Sequence, residues 1–199
     1  MTQIDQAYPD LCPYFMWAYG RSTPIYLSDG RFVGYSETGV RQGDPMGPIY
    51  FAFGIVTLLK HVADHHNEAS LLAYLDDVTV TGDPMVCLQA YQTIATKCLE
   101  FGLEVSSTKS RIFHHEFRFN DVLDTMAYRP AISDHGLVLL GVPIGSVDYV
   151  RSGIVDMMRQ RGDVLDALAK TDDARVVFPL ISSCVNARPV YWMKTCLPS

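Results

Sequence analysis

Two carboxylates stand side by side at Asp76 and Asp77, between the apolar runs Leu71–Leu75 and Val78–Thr81. Adjacent acids repel and disturb each other's protonation unless something positive sits between them. A divalent cation answers that need, and oxygen ligands held rigidly at a hairpin tip suit Mg²⁺. The remaining chemistry-bearing groups assemble less well. His61 and His65 have the i, i+4 spacing of a zinc helix, but Val62 stands where His-Glu-x-x-His requires Glu, which leaves a solvated helix face. His114 and His115 are neighbours, and neighbours on a strand point to opposite faces. Thr108-Lys109-Ser110 has no glycine loop before it, so an ATPase P-loop is excluded. The five cysteines are odd in number and scattered without a Cys-x-x-Cys pair, which supports neither a disulfide framework nor a zinc ribbon and points to a reducing, intracellular compartment.

The chain that must position these acids has 199 residues, 48% hydrophobic and 19% charged, with a net charge of -6. That balance predicts one domain, or one with a small appendage, around a real core. The longest apolar run, Phe51 to Leu59, falls far short of the roughly 20 residues that span a bilayer. The polar start, Met1 to Asp10, carries Asp5 and Asp10 and does not read as a secretory signal. An acidic pI near 5.4 gives no global pull on phosphate backbones, so nucleic-acid contact must rest on local groups or on a basic segment outside this chain.

Glycine and proline punctuate the chain into elements. Leu11 to Tyr19 reads as a short buried aromatic helix ended by Gly20; Tyr8, Tyr14, Phe15, Trp17 and Tyr19 read as its packing residues rather than as a base-stacking platform. Asp29-Gly30 between Pro24–Leu27 and Phe32–Tyr35 signals a hairpin. Pro45 to Asn67 predicts a mostly buried helix with a polar stripe at Thr57, Lys60, His61 and Asp64, capped by Asp44. The acid-tipped hairpin follows, then a helix from Asp83-Pro84 to Gly102. Val105, Ile112 and Phe113 belong to a weaker strand region. Leu137 to Ile144 reads as strand, Gly141 turn, strand, and helices are predicted over Val150–Ala169 and Ala174–Asn186, with Tyr191 and Trp192 packing beside them.

Four stretches, in order along the chain, carry a family resemblance. They are Gly39-Val40-Arg41-Gln42-Gly43-Asp44-Pro45-Met46-Gly47-Pro48; Tyr74-Leu75-Asp76-Asp77; Gly102-Leu103-Glu104-Val105 with Ser107-Thr108-Lys109-Ser110; and Leu139-Leu140-Gly141-Val142-Pro143-Ile144-Gly145. Together they resemble the palm of reverse transcriptases, most closely those of retrotransposons lacking long terminal repeats. The resemblance implies an α+β fold, a palm with a ferredoxin-like antiparallel sheet and helices on one face over residues 1–146, and the helical start of a thumb over 147–199.

It also implies RNA-directed DNA polymerase activity, in which two metal ions serve the transfer of a dNTP to a primer 3′-OH on an RNA template. Asp76 and Asp77 would bind Mg²⁺, or Mn²⁺, and Tyr74 in the same hairpin would contact substrate or template. Gln42 and Gly43 would line the template and nascent base pair, Arg41 would meet phosphate, Lys109 would protonate the departing pyrophosphate, and Gly141 would lie in the primer-gripping hairpin. The family's third carboxylate and its basic fingers belong upstream. Asp5 lacks the apolar strand that should precede such an acid and reads as a surface residue, so this chain is expected to be a piece of a polymerase. The rival expectation is a catalytically inactive retroelement remnant that binds or dimerises.

Overall fold

The computed structural model describes residues 8–41, 43–185 and 187–195. Asp5, Gln42 and Cys196 therefore lie outside the described residues. The fold mixes helices with small sheets, as an α+β reading requires, and it divides into two compact units, Met1–Val105 and Ser106–Ser199.

In the first unit, helix α1 (Cys12–Tyr19) leads into the hairpin β1 (Thr23–Tyr26) and β2 (Phe32–Ser36), closed at Asp29-Gly30. Helix α2 (Gly47–His65), the hairpin β3 (Ser70–Tyr74) and β4 (Asp77–Thr81), and helix α3 (Pro84–Cys98) follow. The helix starts are legible in local chemistry: Asp83 accepts the amide hydrogens of Met85 and Val86 at 2.9 and 3.2 Å, satisfying donors that a first turn leaves orphaned. Asp44 takes the Met46 amide at 2.9 Å, but α2 begins two residues later than expected, and Pro48 rather than Pro45 sits in its first turn, where a missing N–H is harmless.

The core of this unit lies between α2 and α3. Leu58, Val62, Ala90, Ile94 and Cys98 are buried together, and Leu71, Val78 and Val80 of the hairpin pack against them with Leu103 and Val105. Two expectations of burial are corrected here. Helix α2 buries one face, through Tyr50, Ile55, Leu58 and Val62, while Ile49 and Val56 remain exposed. Helix α1 has no fully buried residue, and its Trp17 is 81% exposed. The reason is cover: a two-stranded hairpin shields one side of a helix pair and no more, so apolar residues on the other sides stay in solvent.

The second unit contains short strands β5 (Arg111–Ile112) and β6 (Ala131–Ile132), which pair in parallel, a single helical turn α4 (Asn120–Leu123), and the antiparallel hairpin β7 (Gly136–Leu139) and β8 (Val142–Gly145). Helix α5 (Val147–Leu168), capped by Ser146, packs on that hairpin, where Gly153 lets Pro143 approach so closely that an added Cβ would sit 3.0 Å from it. Helix α6 (Ala174–Leu180) stops earlier than the sequence suggested. Pro179 lacks the amide that would continue the ladder, and the chain widens into a π turn over Ile181–Val185 before a further helix, α7 (Ala187–Thr195), that the sequence reading did not anticipate. Among the described residues the strands of both units pair two by two, three pairs antiparallel and one parallel. No described helix is long and apolar enough to cross a membrane.

Candidate active site

The β3–β4 hairpin is built so that its tip cannot drift. Leu71 opposite Val80 and Ala73 opposite Val78 occupy one face, and Leu71, Val78 and Val80 reach the core. Leu71, Val78 and Val80 are partly buried, so each gains a share of the about 1.5–3 kcal/mol that full burial supplies, and a slip of one residue would turn the apolar face into water. On the other face Leu72 and Tyr74 are 60% and 62% exposed. Tyr74 pairs with Asp77, so only Leu75 and Asp76 form the loop, and Leu75 takes a left-handed φ of 55°. A branched residue in that region is under local strain, of the kind that turns at working sites hold.

Both carboxylates are thereby presented at the tip. Asp76 lies in the turn and Asp77 opens β4; both are exposed, and among the described residues neither carboxylate accepts a hydrogen bond or joins an ion pair. Two anionic oxygen donors without protein partners are a donor set that suits a hard cation. Among the described residues no cluster of three or more His, Cys, Asp or Glu side chains surrounds a common point, so this pair stands without a third acid.

The loop before α2 is held differently. Tyr19, at the end of α1, donates its hydroxyl to Asp44 Oδ2 and accepts the Arg41 amide hydrogen at 3.2 Å. Arg41 Nη2 donates to Thr23 Oγ1, and its guanidinium lies 5.3 Å above the Tyr19 ring. Much of the Arg41 head group is thus engaged within the fold, and its Nε is buried without a partner among the described residues. The hydrogen bond from Tyr19, reinforced by the Met46 amide, lowers the Asp44 pKa; burial, then the same bond, raises that of Tyr19. Behind the loop a cavity of about 300 Å³ is lined by Phe15, Tyr19, Arg41, Tyr50, Phe51 and Leu103, among others. Ring contacts of Tyr50 with Tyr14, Phe15 and Tyr19 make α1 a packing element, as the sequence suggested for those residues. Gly43 has a φ of 88°, which favours glycine, and space is open around it.

In the second unit, Lys109 lies in a turn closed by its own amide and that of Ser110 on the Ser106 carbonyl, at 3.1 and 2.9 Å. It is exposed, and its ammonium has no partner among the described residues. Gly141, with φ 80°, follows Leu140 at φ 49° in the two-residue β7–β8 turn. Tyr191 of α7 donates to the Leu140 carbonyl at 3.1 Å. Sequence reasoning did not single out Tyr19, Thr23 or Tyr191 as supports; their bonds span 18 to 51 residues and leave no local signature.

The sequence signature of the reverse transcriptase (RNA-dependent DNA polymerase) family covers residues 12–143, well over half of the chain, and the chain belongs to that family. Over 49 residues it is 45% identical to the retrotransposable element SLACS 132 kDa protein of Trypanosoma brucei gambiense, a match that covers 25% of this chain and only 4% of that much longer protein. No solved structure matches the chain. The resemblance to reverse transcriptases of retrotransposon type, read from the four stretches, is borne out.

Proposed function

We propose that the chain works as the palm, residues 1–146, and the start of the thumb, residues 147–199, of an RNA-directed DNA polymerase from a retrotransposon without long terminal repeats. Its substrates are an RNA template, a DNA primer and dNTPs. The observation that carries this reading is the hairpin tip: two exposed carboxylates, without partners among the described residues, at the end of strands whose inner face packs on the core. The donor set fits Mg²⁺ or Mn²⁺, with Asp76 as the principal ligand and Asp77 assisting. When bound, such ions clamp the attacking and leaving oxygens of an in-line displacement at phosphorus.

The chain's own residues do the rest. Leu75 and Tyr74 hold the acids at the tip. Gln42 and the side-chain-free Gly43 border the template and nascent base pair, and Arg41 meets phosphate through the part of its guanidinium that Thr23 does not occupy. Lys109 delivers a proton to the leaving pyrophosphate, and the Leu140-Gly141 turn grips the primer. A third carboxylate and basic fingers of the family's kind would complete the site, with β3–β4 as part of a ferredoxin-like sheet.

A second reading has its own support. The free outer face of β3–β4, with Leu72 and Tyr74 in solvent, is also what a remnant that associates through its sheet would present. Deoxynucleotide incorporation on a primed RNA template with Mg²⁺ or Mn²⁺ separates the two. The polymerase reading expects incorporation by a chain extended upstream, reduced at least about 10²–10³-fold by Asp76→Ala, on the scale of losing an electrostatic stabiliser of the transition state. Absence of incorporation with and without the extension favours the remnant.

A further inference from the structure

We propose that Tyr19 is a positioning residue for nucleotide addition: its hydroxyl ties both ends of the Arg41–Asp44 turn to α1 and so fixes where Gly43 meets the nascent base pair. This rests on the polymerase reading of that turn given above. One oxygen does both jobs, donating to Asp44 Oδ2 and accepting from the Arg41 amide, while the Asp44 amide closes the turn on the Arg41 carbonyl at 3.2 Å. The second oxygen of Asp44 takes the Met46 amide, so the same carboxylate links the turn to the start of α2.

The hydroxyl is itself held. The Tyr19 ring lies 5.4 Å from Phe15 in a stacked pair and 5.7 Å from Tyr50 edge-on, with the Arg41 guanidinium over its face. A side chain with its ring fixed by neighbours holds a functional turn far better than a free one. At Gly43 the space is open: an added Cβ would meet nothing within 4 Å. Anchored at both ends and open at Gly43, the turn is arranged to receive a ligand there. Tyr19 touches the turn and not the reacting atoms, and Tyr14 of the same helix adds a weaker side-chain hydrogen bond to Asp44.

The test compares the wild-type chain with Tyr19→Phe, which keeps the ring and its packing, and with Asp44→Asn, which keeps an acceptor but loses the charge. Amide hydrogen exchange is followed at Asp44 and Met46. Affinity for the next complementary dNTP is followed by anisotropy of a labelled DNA primer on an RNA template with Mg²⁺. Tyr19→Phe is expected to speed exchange at both amides about tenfold and to weaken dNTP binding about tenfold, the usual scale for a hydrogen bond to a charged group. The β3–β4 amides stay unchanged, and Asp44→Asn gives a smaller effect of the same sign. Carboxyl NMR adds a readout that ring packing would not move: in Tyr19→Phe the Asp44 titration rises toward the ordinary carboxylate range. Unchanged exchange, or faster exchange with unchanged dNTP affinity, overturns the positioning role. A wild-type chain, alone and extended upstream, that binds no dNTP overturns the polymerase reading itself, a result distinct from a variant that matches wild type.

Discussion

Tyr74 faces Asp77 as the last cross-strand pair of the β3–β4 hairpin, and the two residues between them are all the loop there is. Leu75 must then turn the chain in a left-handed conformation that costs an L-residue roughly 1–2 kcal/mol. Leu75→Gly is expected to leave stability unchanged or raise it by up to about 1 kcal/mol, relief of strain being partly offset by backbone entropy. Leu75→Val, with a β-branched side chain, is expected to lower it by about 1 kcal/mol or more. Urea denaturation of both variants decides; equal destabilisation by both would show that the turn conformation is not what limits this position.

The core beneath the acids sets a second expectation. Leu58 is 3% exposed and packs in the cluster that also holds Leu71, Val78 and Val80, so Leu58→Ala should cost about 2–5 kcal/mol and loosen the hairpin amides with it. Val56, on the same helix but facing solvent, should cost less than about 1 kcal/mol on truncation. Denaturation midpoints with hydrogen exchange at β3–β4 read both. Similar costs at the two positions would contradict the one-faced burial of α2.

A third concerns pH. The Asp44 carboxyl is depressed by its hydrogen bond from Tyr19, so its contribution to folding is present above the ordinary carboxylate range and is lost as pH falls through its lowered pKa. The Tyr19 hydroxyl is raised by burial and by Asp44, so its contribution is present below the ordinary tyrosine range and is lost as pH rises through its raised pKa. The pair therefore stabilises the α1–α2 region across the neutral range. Tyr19→Phe should remove the part of the acid and alkaline dependence that belongs to this pair, measured as the difference between wild-type and variant stability across pH. A difference that does not vary with pH would contradict the pairing.

In the second unit, the Tyr191 hydroxyl supports the Leu140 carbonyl in a turn with two consecutive left-handed residues. Tyr191→Phe should cost only about 0.5–1 kcal/mol, because the bond is exposed to water. Its sharper effect should be faster exchange at the amides of the Leu140-Gly141 turn, seen by NMR. No local change there would show that α7 does not brace the turn.

Much of this was legible in the sequence because it is local. Asp83-Pro84 announces α3, Asp29-Gly30 the first hairpin, and Asp76-Asp77 between two apolar runs the second, each through chemistry confined to a few residues. The two left-handed leucines were not legible, since nothing in a Leu-Asp or Leu-Gly pair demands that conformation until the flanking strands are paired in register. The depth of burial was misjudged as well: Ile49 and Val56 look like core residues in a helical pattern, and only the extent of the neighbouring hairpin decides that they are not. Pro179 lies inside the helix expected over Ala174–Asn186, and the α-helix ends at Leu180, one residue beyond the proline that lacks a ladder amide.

The proposed polymerase centre stands on the acids at the tip, and Mn²⁺ paramagnetic resonance with Mg²⁺ competition tests them most directly. Titrated into the wild-type chain, Mn²⁺ should bind at a site from which Mg²⁺ displaces it, weakly because ligand charge and number both set affinity for hard cations. The Asp76→Asn, Asp77→Asn double variant, folded as judged by hydrogen exchange in β3–β4, should lose that site. Binding that is equally strong in the double variant would place the metal elsewhere and contradict the proposed polymerase centre.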